Sequence, residues 1–197
     1  MLTLPLLRKM LNRAGTELKA NSKYLCELDS VAGDGDHGIT IGRMADVMKE
    51  KTEDTTIDTM RVLLDELGDA FMGINGGSAG PLWGTVFTGM AEGIDDQAEL
   101  TDLELRKMFT QAKEDFMDIS KAKPGDKTMV DALYPAIDAI IETQGSLKEI
   151  MTAAAAAADA GAEQTSTMVA RFGRAKNMGE RSIGTKDPGA VSIAIDR

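Results

Sequence analysis

"NSKYLCELDSVAGDGDHGIT" occupies residues 21–40 and decides between two fold classes. Gly33, Gly35 and Gly38 match the G-x-G-x-x-G pattern of dinucleotide-binding and protein kinase phosphate loops. A dinucleotide loop follows a β-strand and opens a βαβ unit, whereas residues 21–30 have the pattern of a helix end. The glycine match therefore does not predict a parallel α/β sheet.

Three other well-known loop types are also excluded by the sequence. A protein kinase needs a V-A-I-K lysine and an H-R-D loop, and a Walker A loop needs G-K followed by Ser or Thr. None of these patterns occurs in this chain. An EF-hand counted from Asp34 requires Gly at its sixth position and Glu at its twelfth, where this chain has Ile39 and Ala45. The acidic residues of this loop need a different explanation.

Helical periodicity dominates the rest of the chain. Apolar residues recur at helical spacing between Ile57 and Phe71, and no run alternates convincingly as a strand. Thr101 or Asp102 is a candidate cap for a helix that ends near Ile119. Further helices are expected over residues 127–143 and 146–161, with the last pattern extending through Val169 and Phe172. We predict an all-α domain of about eight helices.

Composition limits the classes of function. A chain of 197 residues fits one domain, and its formal net charge of −10 disfavours a nucleic-acid partner, which needs a basic face. Cys26 is the only cysteine, so no internal disulfide can form, which suits the cytoplasm. No stretch of about 18 apolar residues is present, so no membrane span is expected.

Asp29, Asp34 and Asp36 place three hard oxygen ligands within eight residues. Mg²⁺ commonly binds one or two carboxylates together with substrate phosphates and waters. An equally simple interpretation is a solvated acidic turn that caps the following helix. The loop by itself leaves both interpretations open.

Three further glycine-rich turns bear on that choice. They are "NGGSAGPLWGT" (75–85), "KPGDKTM" (123–129) and "GRAKNMGERSIGTKDPGA" (173–190). The first leads into a helix whose free N–H groups suit an anion, the second offers Lys127 and Thr128 as donors, and the third contains several basic residues. Each could be an ordinary loop, but loops at one end of an antiparallel bundle can converge. Together they predict a site where aspartates hold Mg²⁺ and Mg²⁺ holds phosphates.

The motifs "LDSVAGDGDHG", "GGSAGPLWGT", "PGDKTMVDAL" and "GRAKNMGERSIGTKDPGA" resemble the nucleotide-binding L subunits of bacterial dihydroxyacetone kinases. The resemblance covers nearly the whole chain. It implies that residues 1–197 form a single nucleotide-binding domain, an antiparallel helical barrel with the nucleotide at one end. It also implies two Mg²⁺ ions held by Asp29, Asp34 and Asp36, with ADP or ATP as the nucleotide. The implied nucleotide contacts are His37, Gly38, Ile39, Thr40, Ser78, Ala79, Ser120, Thr128, Met129, Arg174, Asp187, Pro188 and Gly189.

The same resemblance implies two partners. One is a K subunit that holds dihydroxyacetone or a similar small ketose or polyol. The other is a phosphotransferase-system subunit that rephosphorylates bound ADP, unless the chain uses ATP directly. We also expect a homodimer in the cytoplasm. Alternatives are a kinase subunit for another small substrate, the nucleotide domain of a fatty-acid kinase, and a nucleotide-loaded protein that binds a regulator.

Overall fold

Helices account for most of the computed structural model, which describes residues 1–195. In that range the α-helices are α1 (Leu4–Ala20), α2 (Ser22–Ser30), α3 (His37–Glu53), α4 (Met60–Met72), α5 (Ala79–Glu92), α6 (Asp102–Ile119), α7 (Val130–Glu142), α8 (Leu147–Gln164) and α9 (Pro188–Ala194). The expected all-α class is confirmed. Nine α-helices are described where about eight were expected.

Local sequence signals explain where several helices begin. Thr101 and Ser146 form capping boxes at the starts of α6 and α8, respectively. Each hydroxyl accepts a hydrogen bond from the N–H of a glutamate three residues later. The carboxylate of that glutamate accepts a hydrogen bond from the N–H of the capping residue. Asp187 accepts from the N–H of Ala190, and Pro188 follows at the first position of α9. The starts of α6 and α8 agree with the sequence prediction.

The helices close into a ring. Neighbouring pairs run from α3 through α4, α5, α6, α7 and α8 to α9, and α9 packs back against α2 and α3. The buried core lies inside this ring and includes Phe71, Phe116, Leu63 and Ile137. The 7-residue α9 completes the ring. The expected helical barrel is confirmed.

Two details of the sequence prediction are wrong. Leu2–Thr3 (β1) and Glu99–Leu100 (β2) pair as a short antiparallel ribbon that the sequence pattern did not indicate. Such short strands are too brief for alternation to be recognised.

The second error concerns the chain after α8. The pattern through Val169 and Phe172 does not continue the helix, and residues 165–187 contain two 3₁₀ segments, Thr165–Thr167 and Arg174–Ser182. We call residues 165–187 the distal segment. No helix in the described part of the chain is long and apolar enough to cross a membrane.

Candidate functional site

One end of the barrel contains a cavity of about 720 Å³ that is bordered by alternate helix ends. α3, α5, α7 and α9 begin at this cavity, whereas α2 and α6 end there. The alternation follows from the antiparallel course of successive helices. It brings four loops that are far apart in sequence into one site.

The three aspartates of the sequence prediction do come together. One carboxylate oxygen from each of Asp29, Asp34 and Asp36 lies within 4.8 Å of the others. Asp29 also accepts hydrogen bonds from the N–H groups of Asp36 at 3.0 Å and His37 at 3.3 Å, so its carboxylate holds the start of α3. The capping and metal-binding interpretations are therefore compatible, because one oxygen of Asp29 caps the helix while the cluster offers further oxygens. A hard divalent cation such as Mg²⁺ fits this donor set.

Arg174 reaches the acidic cluster from the distal segment. Its guanidinium forms a close ion pair with Asp34 and lies 3.9 Å from Asp36. Both pairs are partly exposed, so they contribute little to stability. Their consequence is positional: a basic side chain borders the cavity beside the carboxylates.

The glycine turn before α5 packs directly on α3. A side chain at Gly76, where φ is +147°, would collide with the hydroxyl of Thr40, and Arg43 donates to the carbonyl of Asn75 at 2.8 Å. No side chain within the described residues caps the N-terminus of α5 at Ser78. The first N–H groups of α5 are therefore available to an anion in the cavity.

Two titratable groups near the start of α9 have shifted pKa values. Burial lowers the pKa of His37, although Asp29 and the backbone of Pro188 oppose the shift. His37 is therefore neutral at neutral pH, and its Nε2 lies 3.4 Å from the hydroxyl of Ser192. Desolvation raises the pKa of Asp187 to about 7, against the opposing effect of the Ala190 N–H and the Lys127 ammonium.

Most of the residues proposed from the sequence border this one cavity. They are Asp29, Asp36, His37, Ser78, Ala79, Ser120, Thr128, Met129, Arg174, Asp187, Pro188 and Gly189. Asp34 belongs to the carboxylate cluster but not to the cavity wall.

Gly38, Ile39 and Thr40 do not border the cavity. The N–H groups of Ile39 and Thr40 are already bonded to the carbonyl of Asp36 in the first turn of α3. Gly38 and Thr40 are buried, and the side chain of Ile39 is exposed. These three residues are therefore not part of the cavity wall, and their assignment to the nucleotide site stays a prediction.

Sequence reasoning also missed an apolar wall of the cavity. Its residues are Leu28, Leu82, Trp83, Phe116, Ile119 and Phe172. Trp83 lies inside the quoted motif "GGSAGPLWGT", so its proximity to the site could have been inferred. Leu28 and Leu82 also lie inside quoted motifs, whereas Phe116, Ile119 and Phe172 lie outside them.

Lys127 does not act as the free donor that the sequence suggested. It is 4% exposed, and its ammonium donates to the backbone carbonyls of Met168 at 3.4 Å, Ser182 at 2.6 Å and Thr185 at 2.5 Å. An ammonium has three donors, so these bonds account for all of them.

Comparison with known proteins places this geometry in a family. The DAK2 domain matches residues 31–195. The ADP-binding subunit DhaL of the PEP-dependent dihydroxyacetone kinase of Escherichia coli (strain K12) is 36% identical over 186 residues, covering 93% of this chain and 89% of that protein. The L-erythrulose kinase of Pectobacterium atrosepticum is 37% identical over 192 residues, covering 94% of this chain but only 32% of that protein.

A solved structure agrees with these relatives. The dihydroxyacetone kinase of C. freundii in complex with AMP-PNP and Mg²⁺ superposes with a TM-score of 0.72 at 27% identity, covering 97% of this chain and 32% of that one. The chain thus spans about a third of this larger kinase and nearly all of the bacterial subunit. By its sequence, fold and the match over residues 31–195, the chain belongs to the DAK2 domain family.

Proposed function

We propose that this chain is the nucleotide- and Mg²⁺-binding subunit of a dihydroxyacetone kinase. It would transfer a phosphoryl group to dihydroxyacetone, or a similar small ketose or polyol, held on a separate K subunit. The observation that carries the proposal is the cavity bordered both by the cluster of three carboxylates, through Asp29 and Asp36, and by the uncapped N-terminus of α5. The subunit names of its relatives support the same assignment.

The cluster of Asp29, Asp34 and Asp36 would hold two Mg²⁺ ions. When bound, the ions would supply positive charge that neutralises the phosphates. This resolves the charge problem of an anion site in a chain with a net charge of −10. The donor chemistry fits, since carboxylate oxygens are the protein ligands that Mg²⁺ prefers.

The chain's own residues would position the nucleotide from three sides. The N–H groups at the start of α5, beside Ser78 and Ala79, would bind phosphate oxygens. The apolar wall with Trp83 and Ile119 offers a surface for the base. Arg174 would add a positive charge beside the phosphates. Gly38, Ile39 and Thr40 remain proposed nucleotide-site residues on the family resemblance alone, since they do not border the cavity.

The resemblance to dihydroxyacetone kinases implies that a histidine of a separate substrate subunit holds the ketone covalently, and this chain has no second histidine for that role. His37 is its only histidine, and its neutral ring lies between Asp29 and α9. It cannot hold a ketone covalently while it also borders the nucleotide cavity. The ketone would therefore reside on the K subunit.

The phosphoryl donor has two candidate sources. Relatives named as PEP-dependent and PTS-dependent support a phosphotransferase-system subunit that rephosphorylates bound ADP in place. Direct use of ATP is the second candidate for the donor, and the likeness to an L-erythrulose kinase keeps a different small ketose as a candidate substrate. A homodimer located in the cytoplasm is part of the same proposal, and light scattering of the purified chain would test the dimer.

Reconstitution tests the function. The pure chain with Mg²⁺, ATP and dihydroxyacetone should yield no phosphorylated ketone. Addition of a K-type subunit should restore transfer, either with ATP or with a phosphotransferase-system donor, and L-erythrulose in parallel reactions would test the substrate. Robust product from the isolated chain would show that the ketone site is here. Nucleotide binding without transfer under every combination would favour a regulator-binding role.

A further inference from the structure

The distal segment supplies part of the cavity wall yet has little regular structure of its own. Phe172, Gly173 and Arg174 lie in it and border the cavity. Its defined elements are two 3₁₀ segments, the second interrupted at Gly179, where φ is +55°. Contacts with other parts of the chain add to the few hydrogen bonds within the segment in fixing its position.

Lys127 provides the contact that spans this segment. Its ammonium bonds to the carbonyl of Met168 on one side of Arg174, and to those of Ser182 and Thr185 on the other. All three acceptors are backbone atoms. One buried side chain thus ties both ends of the loop that carries Arg174 to the turn before α7.

The turn that presents Lys127 is itself fixed. Lys127 has a φ of +59°, an uncommon value for a residue with a side chain. The buried carboxylate of Asp131 accepts from the N–H groups of Gly125 at 2.5 Å and Thr128 at 2.8 Å, on either side of Lys127. The N–H of Arg171 adds a bond to the carbonyl of Asp126 at 3.0 Å. This bracing holds Lys127 in its strained conformation and aims it at the distal segment.

We propose that Lys127 is a positioning residue that fastens residues 168–185 to the turn before α7, and so places Arg174 and Phe172 at the nucleotide cavity. The expected consequence for nucleotide binding rests on the proposed function. The attachment of residues 168–185 by Lys127 is independent of that function. Lys127 acts through the segment because its three donors are already bonded to carbonyls, which leaves none for a phosphate.

Hydrogen exchange of the nucleotide-free chain tests the structural part. Lys127→Met should raise the exchange of amides within residues 168–185 on the order of 10-fold or more, while α4 and α5 keep their protection. Lys127→Arg, which retains charged donors, should restore part of the protection. Lys113→Met is the matched control, because Lys113 pairs with Asp138 on the barrel wall away from this segment. Unchanged exchange in Lys127→Met would overturn the proposal.

A double-mutant cycle tests the functional part. Calorimetric affinity for Mg-ADP should fall about 10-fold in Lys127→Met and in Arg174→Ala, and the double variant should be little weaker than either, since both changes remove the same placed side chain. Fully additive losses would show that Lys127 contacts the nucleotide directly and would overturn the proposal. If Lys127→Met does not fold, Lys127→Gln serves in both experiments. If no form binds Mg-ADP, the proposed function fails while the exchange result still decides the role of Lys127.

Discussion

The acidic turn at residues 29–37 and the distal segment at residues 165–187 meet at the same cavity but are held in opposite ways. The acidic turn is fixed locally: the Asp29 carboxylate bonds to two amides within eight residues, and the Asp29 carbonyl accepts from Gly33 at 2.6 Å. The distal segment depends on Lys127, which is 41 or more residues away from its partners. Local bonds can be inferred from a short motif, whereas distant ones require the fold.

The largest expected effect comes from removing one carboxylate of the acidic turn while its backbone stays intact. Asp36→Ala should weaken Mg-ADP binding more than about 100-fold, because it removes a metal ligand and leaves phosphates facing the remaining carboxylates. Titration calorimetry measures the loss. Asp58→Ala, an exposed acid far from the cluster in sequence, is the control and should bind normally. Wild-type affinity in both Asp34→Ala and Asp36→Ala would refute the metal cluster.

A second prediction concerns the packing behind the acidic turn. A side chain at Gly38 would run into the carbonyl oxygen of Ser22, so Gly38→Ala should destabilise the protein by about 3 kcal/mol. Gly42→Ala, one turn later on α3, meets only ordinary contacts and should instead stabilise by up to about 1 kcal/mol, as expected in a helix. Urea unfolding gives both values. Equal effects of the two changes would contradict the close α2–α3 contact.

The third prediction is that removal of one hydroxyl loosens the distal segment. Ser182 is fully buried, accepts from the N–H of Ala170 at 2.9 Å and donates to the carbonyl of Gly179 at 2.7 Å. Ser182→Ala leaves that N–H unpaired and should cost about 1–2 kcal/mol. Faster tryptic cleavage within residues 171–181 should accompany the loss. Thr167→Ala, which removes an exposed hydroxyl, should change neither measurement.

The smallest effect is a change in pH dependence. The folded pKa of Asp187 is about 7 and the unfolded pKa is near 3.8, so the folded state binds more protons between these values and loses stability as pH rises through them. Asp187→Asn keeps an acceptor for the start of α9 without the charge. It should gain about 1 kcal/mol relative to wild type between pH 4 and pH 7, a modest figure because the residue is partly exposed. Thermal melts across this range would detect it, and parallel curves would contradict the raised pKa.

Several features of the molecule were determined by the sequence alone. Capping residues at Thr101, Ser146 and Asp187 place helix starts, because a side chain bonds to amides only three residues away. The three aspartates are close in space because they are close in the chain. The motifs that carry the resemblance predicted the family and, through it, the helical barrel.

The tertiary structure decided what those motifs do. Lys127 follows a glycine turn, and its sequence context suggests a free donor. In the fold it is buried, and its ammonium holds the distal segment by donating to carbonyls that are far away in sequence. The helical pattern through Phe172 ends early because backbone groups there bond elsewhere, as Arg171 does to Asp126. Thr40 lies in the first turn of α3, where its side chain packs against Gly76 and does not border the cavity. Local propensity cannot specify partners that only ring closure brings within hydrogen-bonding distance.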